Sequence, residues 1–346
     1  MKVLHLLNTG KFSGAENVAC QIIGMLNQNV EFVYCSIDGE IRNVLENKNI
    51  RFAPIKKMSI GELKRVFTEY SPDVIHAHDM RASFYAALAC GSIPLVCHVH
   101  NNAFDSRKIS AKSIFFFFAA IKAKHIFWVS DTAFSGYRFN SMLKEKSSIL
   151  LNVIDVDALY KKMQEDENSY SFDVVYVGRL TYQKNPERFI NVCKKLVERE
   201  PNVKVAMVGD GELKETALQQ ISVNKLEKNI FVLGFKKNPL KIIRDSKVFL
   251  LTSRWEGLPM CVLESLALGV PVVSTPTDGM NAVVHNEVNG YIDDNDNCLV
   301  DFLQKIINSN QYHSMLSKNA VELSLAHNDI NSYRNKILTV YNHSLT

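Results

Sequence analysis

The chain alternates short apolar runs, rich in β-branched residues, with longer runs in which apolar positions recur at helical spacing. The short runs predict strands at 2–7, 30–36, 73–76, 94–99, 125–129 and 148–151, and then at 172–177, 203–208, 229–233, 247–251, 270–274 and 290–292. The longer runs predict helices that include 14–27, 59–70, 80–90, 110–122, 185–199, 211–221, 238–244 and 260–268. Strands that are apolar throughout and separated by helices indicate parallel sheets covered on both faces.

The pattern runs once to about residue 150 and starts again at about residue 170, which predicts two α/β domains within the 346 residues. We expect a first domain at 1–160, completed by a last helix within about 330–346, and a second domain at 170–329. The polar stretch Lys161–Asn168 is interpreted as the linker. Both domains are predicted to be doubly wound, with ligands bound beyond the carboxyl ends of the strands in a cleft between the domains.

Composition narrows the class of protein. Hydrophobic residues make up 47% of the chain and charged residues 22%, which excludes disordered, collagen-like and disulfide-scaffold proteins. The seven cysteines form no C-x-x-C pair and most lie in apolar runs, so we expect reduced core residues of a cytosolic protein. The net charge of +4 is too small to imply a nucleic-acid partner. The excess of positive charge lies within residues 1–160. Two explanations remain open: chance, or a basic first domain that lies near an anionic surface or substrate.

The most apolar stretch, Ile114–Ile121, contains four consecutive phenylalanines and is too short to span a bilayer. Lysines flank it on both sides, which suits a helix lying on a membrane surface. The alternative is a helix buried against the first sheet. We favour the buried helix, because four adjacent phenylalanines cover all sides of a helix.

Two cations follow the first strand of the second set. That strand ends at Gly178, Arg179 and Lys184 lie in the following turn, and Pro186 stands where a helix can begin. Cations beside a helix N-terminus at the carboxyl edge of a strand form an anion site, and a diphosphate suits it. The alternative is a pair of solvated surface cations.

Two carboxylates lie eight residues apart in the segment from Glu256 to Glu264. Glu256 is predicted on a loop after a strand and Glu264 inside the following helix, and carboxylates accept hydrogen bonds from vicinal diols. Gly257 allows the backbone to approach a ligand closely. The alternative is that one glutamate caps the helix and the other lies on the surface.

The first half offers two weaker signals. The loop from Asn8 to Glu16 contains small residues, including Gly14, that permit a phosphate to approach the backbone, although an ordinary turn explains it as well. His98 and His100 end a predicted strand and point to the same side. One of them contacts a sugar in the functional interpretation, and both are structural in the alternative. Zinc is a poor third explanation, because no matching cysteine or carboxylate is evident.

Together these segments resemble the retaining glycosyltransferases of family 4, which have the GT-B fold of two Rossmann-like domains facing each other across a cleft. Gly178-Arg179 to Lys184 is similar to the family's phosphate-binding segment, and Glu256 to Glu264, with its Glu-Gly-Leu-Pro, resembles the family's Glu-x7-Glu motif. Val208-Gly209-Asp210-Gly211 and Val232-Leu233-Gly234 resemble segments that line its nucleotide site.

The resemblance implies a role for each matched residue. Arg179 and Lys184 would stabilise the leaving diphosphate in place of a metal, Glu256 would contact the donor sugar, and Glu264 would bind the donor ribose. His100, with His98 as second choice, would lie near the sugar. The remaining expected donor-binding residues are Gly14, Gly178, Gly209, Asp210, Leu233, Gly257 and Leu258.

The sequence departs from the family at three places. Ser13 stands where the family often has a first glycine, Asn152-Val153 replaces a usual Asn-Gly, and Met280-Asn281-Ala282 replaces a segment that often ends in Glu. Asp155-Val156-Asp157 and Asp294-Asn295-Asp296 match the metal-binding Asp-x-Asp of the other large glycosyltransferase fold, but neither has the right context. We therefore expect no metal.

The resulting hypothesis is a retaining, metal-independent hexosyltransferase that uses a nucleotide diphosphate sugar, with UDP favoured over GDP. No cofactor is expected beyond this donor substrate. The expected acceptor is a saccharide, lipid-linked, in bacterial surface polysaccharide synthesis, which places the protein in the cytoplasm with peripheral membrane contact as an option. The alternatives are a nucleotide-sugar epimerase of the same architecture and a non-catalytic subunit of a transferase pair.

Overall fold

The computed structural model describes residues 1–101 and 104–345. The chain forms two compact units. The first comprises Met1–Asn152 together with the C-terminal segment from Ile330, and the second comprises Val153–Asp329. The predicted boundary near residue 160 falls inside a helix of the second unit.

The first unit is built on a parallel sheet with helices between its strands. Its strands are β1 (Lys2–Leu6), β2 (Glu31–Ile37), β3 (Phe52–Ile55), β4 (Val74–His78), β5 (Leu95–Val99), β6 (His125–Trp128) and β7 (Ser147–Ile149). Its helices are α1 (Gly14–Leu26), α2 (Ile41–Asn47), α3 (Ile60–Tyr70), α4 (Asp79–Ala89), α5 (Ala111–Lys122), α6 (Asp131–Ser135) and, at the C-terminus, α14 (Ile330–Ser344). Short 3-10 helices lie at Phe104–Ser106 and Asn140–Lys146.

The second unit repeats this plan. Its strands are β8 (Phe172–Val177), β9 (Val205–Val208), β10 (Ile230–Gly234), β11 (Ser246–Leu251), β12 (Val272–Ser274) and β13 (Gly290–Ile292). Its helices are α7 (Val156–Gln164), α8 (Pro186–Arg199), α9 (Lys214–Val223), α10 (Leu240–Arg244), α11 (Met260–Ala267), α12 (Asp296–Asn308) and α13 (Asn310–His327), with a 3-10 helix at Met280–Ala282.

The strand order is the doubly wound order in both sheets. The first sheet runs β3-β2-β1-β4-β5-β6-β7 and the second runs β10-β9-β8-β11-β12-β13, with parallel pairing throughout the described strands. The order reverses between β1 and β4 in one sheet and between β8 and β11 in the other. Ligands of such sheets bind beyond the carboxyl ends of the strands at that reversal point. The predicted fold class, α/β with two Rossmann-like units, is confirmed.

The cores explain why these runs form strands. All five residues of β4 and all five of β5 are buried, because helices cover both faces of a parallel sheet. The C-terminal helix α14 belongs to the first unit, where it buries Tyr333, Ile337 and Tyr341. Unusually for a core, the central strands also carry buried histidines, whose contacts are described with the site.

Some elements differ from the sequence-based prediction. Strand β3 was not predicted, because it is a short edge strand whose Pro54 weakens the strand pattern. The predicted linker Lys161–Asn168 is wrong in its first half. It continues α7, which Asp155 caps through a hydrogen bond from the Ala158 N–H and which buries Leu159 and Met163.

Helix α5 is only partly buried, in contrast to our prediction. Phe116 is fully buried, but Phe115 is 50% exposed and Phe118 is 51% exposed. Successive residues of a helix point about 100° apart, so only one of the adjacent phenylalanines faces the core directly. Across the described ranges 1–101 and 104–345, we find no helix with the combined length and apolarity to cross a bilayer.

Candidate active site

The second unit brings Lys184 and Glu256 into contact at its reversal point. Lys184 follows β8 and Glu256 follows β11, the two neighbouring strands at which the order reverses. The Lys184 Nζ lies 2.7 Å from the Glu256 Oε1, and both side chains are largely buried. The two strongest sequence signals therefore meet in one charged pair, at the edge where this fold binds ligands.

The surroundings of Lys184 keep its ammonium charged. Burial lowers the pKa of Lys184, but Glu256 and Cys261 together more than offset this, so that the pKa lies above its ordinary value. Lys184 therefore remains a cation at neutral pH. Gln183 donates a 3.0 Å hydrogen bond to the Trp255 carbonyl and reaches Glu256 Oε2 at 3.5 Å, which ties the two loops together.

A network that the sequence did not reveal fixes the turn before α8. Asn185 adopts a left-handed conformation, with φ of 54°, immediately before Pro186 starts the helix. The Arg254 guanidinium donates to Asn185 Oδ1 at 3.0 Å and to the Tyr182 carbonyl at 3.1 Å. Its carbon lies 4.3 Å from the centroid of the Tyr182 ring. Arg254 thus holds the loop of Lys184 from the β11 side.

Arg179 and Gly178 lie at the end of β8, and Arg179 is exposed. The next strand approaches this point very closely. A Cβ on Gly209, which has φ of 149°, would lie 1.8 Å from the Gly178 carbonyl oxygen. The glycine at position 209 is therefore required by the backbone itself. Asp210 is exposed and pairs with Lys214 at 2.9 Å, which lowers its pKa.

The segment from Glu256 onward forms the start of α11. Gly257 and Leu258 are buried at the end of the loop, and a Cβ on Gly279 would lie 2.1 Å from the Gly257 carbonyl oxygen. Glu264 lies within α11, where burial raises its pKa against the opposing effect of Lys162. Leu233 is partly exposed near the end of β10. Gly257 and Leu258 follow β11 and Leu233 is near the end of β10, so these three lie at the carboxyl ends of the second sheet, whereas Glu264 lies inside α11.

In the first unit, Gly14 is the first residue of α1 and is exposed. A Cβ at this position would have no heavy atom within 4 Å. The fold therefore does not require glycine here, in contrast to position 209. Ser13 donates to Glu16 Oε2 at 2.5 Å, so the serine that replaces the family's usual glycine is held by the helix it precedes.

His100 is joined to a cluster of buried histidines. His100 Nε2 lies 2.7 Å from His78 Nδ1, and His78 Nε2 lies 2.8 Å from His5 Nδ1. The His98 and His100 ring centroids are 4.1 Å apart, so both side chains point to the same side as predicted. His100 is 9% exposed and His98 is fully buried, with neither of its ring nitrogens hydrogen-bonded.

Burial sets the protonation of this cluster. Desolvation lowers the pKa of His5 and of His100 to about 3, with the charge of His100 adding to the effect on His5. The pKa values of His76, His78 and His98 are lowered well below the ordinary value for the same reason. All five rings are therefore neutral at pH 7.

The two Asp-x-Asp segments serve other contacts. Asp155 caps α7, as described above. Asp294 and Asp296 both pair with the Arg188 guanidinium at 2.8 Å. Among the described residues, three-histidine groups whose ligand atoms lie within 4.8 Å of one another occur at His5, His76 and His78 and at His78, His98 and His100.

Sequence reasoning named Lys184 and Glu256 but did not predict that they form an ion pair, and it missed several of their partners. Gln183 and Arg254 were missed because their contacts join loops that are distant in sequence. His5, His76 and His78 were missed although one signal was available. Alternate positions of buried strands carry histidine at 76 and 78, just as they do at 98 and 100.

The fold and this site define a class. The chain superposes on the crystal structure of the Anabaena protein HepE in complex with UDP-glucose with a TM-score of 0.86, over 99% of this chain and 100% of that chain, at 21% sequence identity. Two parallel Rossmann-like sheets of this order define the GT-B class of glycosyltransferases.

The sequence comparisons name the family. The family described as "Glycosyltransferase Family 4" matches residues 12–158, and "Glycosyl transferases group 1" matches residues 160–323. The chain belongs to these family 4 glycosyltransferases and is an enzyme of that class.

Relatives of known name agree with this assignment. An uncharacterized glycosyltransferase of Methanocaldococcus jannaschii is 30% identical over 255 residues, which cover 66% of this chain and 62% of that protein. The UDP-Gal:alpha-D-GlcNAc-diphosphoundecaprenol alpha-1,3-galactosyltransferase of Escherichia coli is 27% identical over 331 residues, which cover 84% of each chain.

Proposed function

We propose that this enzyme transfers a hexosyl unit from a UDP-sugar, with retention and without a metal ion, to a lipid-linked saccharide in bacterial surface polysaccharide synthesis. The Lys184–Glu256 pair at the reversal point of the second sheet is the observation that carries the proposal. The name of the Escherichia coli relative supports both the UDP donor and the lipid diphosphate acceptor, and the UDP-glucose complex of HepE supports the donor.

The donor diphosphate is bound by Lys184, Arg179 and the first turn of α8. Lys184 is a cation at neutral pH, and the N-terminus of a helix favours negative charge. As the bond to the sugar breaks, negative charge grows on the diphosphate, and these groups stabilise it. Asp155 caps α7, and Asp294 and Asp296 pair with Arg188, which supports transfer without a metal.

The sugar and nucleoside are bound by the carboxylates. Glu256 accepts hydrogen bonds from the sugar hydroxyls once the diphosphate competes for Lys184, and Gly257 and Leu258 line the site beside it. Glu264 accepts from the ribose diol, while Gly178, Gly209, Asp210 and Leu233 lie against the nucleotide. Gly14 allows the diphosphate to approach α1, and His100 contacts the donor sugar. Retention follows if the acceptor attacks the face from which the diphosphate departs, with no protein nucleophile.

The test is transfer from radiolabelled UDP-hexoses and GDP-hexoses to a saccharide diphospholipid acceptor, with and without a chelator. We expect a UDP-sugar to be used at an undiminished rate in the chelator, with the anomeric configuration of the product matching that of the donor by NMR. Lys184→Ala should abolish transfer, whereas Lys194→Ala, which removes an exposed cation from the helix that follows Lys184, should not. Inversion, or loss of activity in the chelator, would contradict the proposal.

A membrane contact through α5 accompanies this function. The apolar side chains Ile114, Phe115, Phe118 and Ile121 are about half exposed along one side of the helix. Four exposed lysines lie in or next to this helix in the sequence, namely Lys108, Lys112, Lys122 and Lys124, and the Lys122 ammonium donates to the Ala87 carbonyl. An apolar face with a cationic border is complementary to an anionic lipid surface, where a lipid-linked acceptor resides.

Flotation with vesicles tests this contact. Vesicles that contain an anionic phospholipid should carry the protein, and vesicles of phosphatidylcholine alone should carry much less. The double variant Phe115→Ser, Phe118→Ser should lose about tenfold in binding. Phe235→Ser is the matched control, because Phe235 is 72% exposed on the second unit. Equal flotation of the two variants would exclude α5 as the contact.

A further inference from the structure

A continuous chain of hydrogen bonds joins His100 to the C-terminal helix. From His100 it passes through His78 to His5, at 2.7 Å and 2.8 Å. His5 Nε2 then lies 3.4 Å from the Tyr341 hydroxyl, which lies 2.6 Å from His76 Nδ1. This series of hydrogen bonds crosses the point at which the strand order of the first sheet reverses, because His5 belongs to β1 and His76 and His78 belong to β4. We call this set the histidine relay.

The protons of the histidine relay can be counted. Each neutral imidazole carries one N–H and one bare nitrogen, and the tyrosine carries one O–H. Four neutral rings and one hydroxyl therefore bring five protons to four hydrogen bonds. The one remaining proton then has no partner within the relay, and it lies on His100 Nδ1, on His76 Nε2, or on a Tyr341 hydroxyl that accepts from both His5 and His76. Each of these three placements fixes the tautomer of every ring.

The surroundings decide among these placements. His76 and Tyr341 are fully buried, and the His76 ring lies near those of His98, Phe127 and Tyr341. His76 Nε2 and His100 Nδ1 are both buried without a hydrogen-bond partner among the described residues. A buried N–H without an acceptor costs more than a bare acceptor nitrogen, and orphaned buried donors are rare. His100 is the most exposed ring of the cluster. The remaining proton is therefore assigned to His100 Nδ1, which lacks an acceptor among the described residues and would find one in an oxygen of a bound ligand.

We propose that His78, His5 and Tyr341 are positioning residues that fix His100 as its Nδ1–H tautomer, so that His100 presents a hydrogen-bond donor to an oxygen of the bound substrate. The role of His100 toward substrate rests on the proposed function, whereas the tautomer itself does not. A substrate group that donates to His100 would have to reverse the three hydrogen bonds from His100 to Tyr341 together. The relay therefore selects an acceptor oxygen at this point.

A metal ion is the competing explanation for clustered histidines. Both ring nitrogens of His78 are already engaged, one with His5 and the other with His100. His78 belongs to both three-histidine groups. A metal ligated by His78 would therefore break the relay, and the two explanations exclude each other.

Nitrogen-15 NMR of the histidine-labelled protein at pH 7.5 tests the proposal directly, because it distinguishes a protonated ring nitrogen from a bare one. We expect His5, His76, His78 and His100 all to carry their proton on Nδ1. An Nε2–H tautomer of His100 in the unmodified protein would overturn the proposal. Stoichiometric zinc that survives dialysis and shifts the His78 nitrogens would overturn it as well.

Variants of His78 add a second test. His78→Leu removes the donor to His100 Nε2, so His100 should become a mixture of tautomers. His78→Asn places an amide N–H near the position of Nδ1 and should restore the Nδ1–H form. His98→Leu is the matched control, since His98 is in the same cluster but outside the relay. An unchanged His100 tautomer in His78→Leu would contradict the relay.

Kinetics separate this proposal from the function on which it rests. We expect His78→Leu to lower kcat about tenfold, and His78→Asn to recover most of the loss, because one hydrogen bond to substrate is affected. If the unmodified enzyme transfers no sugar, the proposed function fails, while the NMR result still decides the tautomer. If transfer is normal and both His78 variants match the unmodified enzyme, the relay has no role in the reaction.

Discussion

The Lys184 ammonium lies 2.7 Å from the Glu256 carboxylate, although the two residues follow different strands of the second sheet. The pair neutralises a cation at the position where the fold would bind a diphosphate. In the function proposed above, Glu256 and the donor diphosphate compete for the same ammonium. That competition would give the site two states, one in which Glu256 holds Lys184 and one in which Glu256 is free to bind the sugar.

Glu256→Gln should separate binding from transfer. The neutral amide no longer competes for Lys184, so UDP should bind about fivefold more tightly, which corresponds to roughly 1 kcal/mol. Transfer should nevertheless fall by at least about a hundredfold, because the contact to the sugar is weakened. Isothermal titration calorimetry with UDP measures the first effect. Glu227→Gln, which removes an exposed carboxylate, should change neither quantity. Weaker UDP binding to Glu256→Gln would argue against the competition.

Two glycines of the expected site should respond in opposite ways. Gly14→Ala adds a Cβ in open space at the start of α1, so the thermal stability should be unchanged or slightly raised. The donor KM should rise several-fold if a phosphate approaches there. Gly209→Ala forces a Cβ against the Gly178 carbonyl and should prevent stable folding of the second unit. Thermal melts measure the stability of each variant, and donor titrations measure the KM of Gly14→Ala. An unchanged KM would show that Gly14 is not part of the donor site.

Much of this architecture was predictable because it depends on local patterns. Strands such as β9 and β10 are continuous apolar runs, and helices that separate such runs favour parallel sheets. The sheet order then places every strand's carboxyl end at one edge. Lys184 and Glu256 could therefore be predicted to share an edge, and the sequence shows both.

What could not be predicted depends on contacts across the sheet. The partners of His100 come from β1, β4 and α14, and no local pattern indicates that Tyr341 reaches His76. The exposed face of α5 was missed for a related reason. Four adjacent phenylalanines look like a buried segment, but only the packing on neighbouring elements decides which of them face solvent.

Asp79, next to His100, allows the cost of ionising a buried carboxyl group to be measured. It begins α4 with a positive φ of 66°, and its side chain accepts a 3.2 Å hydrogen bond from the backbone N–H of His100. Desolvation raises its pKa to about 6, so the folded state holds a proton that the unfolded chain releases near its ordinary value of 3.8. Stability therefore falls as the pH rises from about 4 to about 6, and the full cost is present above that range.

Asp79→Asn should remove this cost. Asparagine keeps an acceptor oxygen and tolerates a positive φ, but it never ionises. We expect the variant to be more stable at pH 7.5 by about 1–2 kcal/mol, with a smaller gain at pH 5. Thermal or urea denaturation measures the difference. Asp131→Asn, which changes an exposed aspartate in the first turn of α6, should give no such gain. An equal gain at both pH values would contradict the raised pKa.

The buried histidines should make the first unit acid-sensitive. The folded-state pKa of each buried histidine lies below the unfolded value of 6.5. The free energy of unfolding is therefore undiminished above pH 6.5, and it decreases as the pH falls from 6.5 toward the folded-state pKa. Each ring then costs about 1.4 kcal/mol per pH unit, so five rings cost about 7 kcal/mol at pH 5.5. Protonation of Asp79 increases the free energy of unfolding as the pH falls, but this single group offsets only a small part of the loss from five histidines.

A cost of that size is comparable with the whole stability of an ordinary domain, about 5–15 kcal/mol. The chain has two tryptophans, buried Trp128 in β6 and Trp255 in the second unit, so Trp255→Phe leaves Trp128 as a reporter of the first unit. Its fluorescence should report unfolding with a midpoint at roughly pH 5–6. In the same background, His98→Leu removes one proton-uptake site that has no hydrogen bond to lose, and should move the midpoint to lower pH. A midpoint below pH 4 with all five histidines present would show that burial does not lower their pKa values as far as stated above.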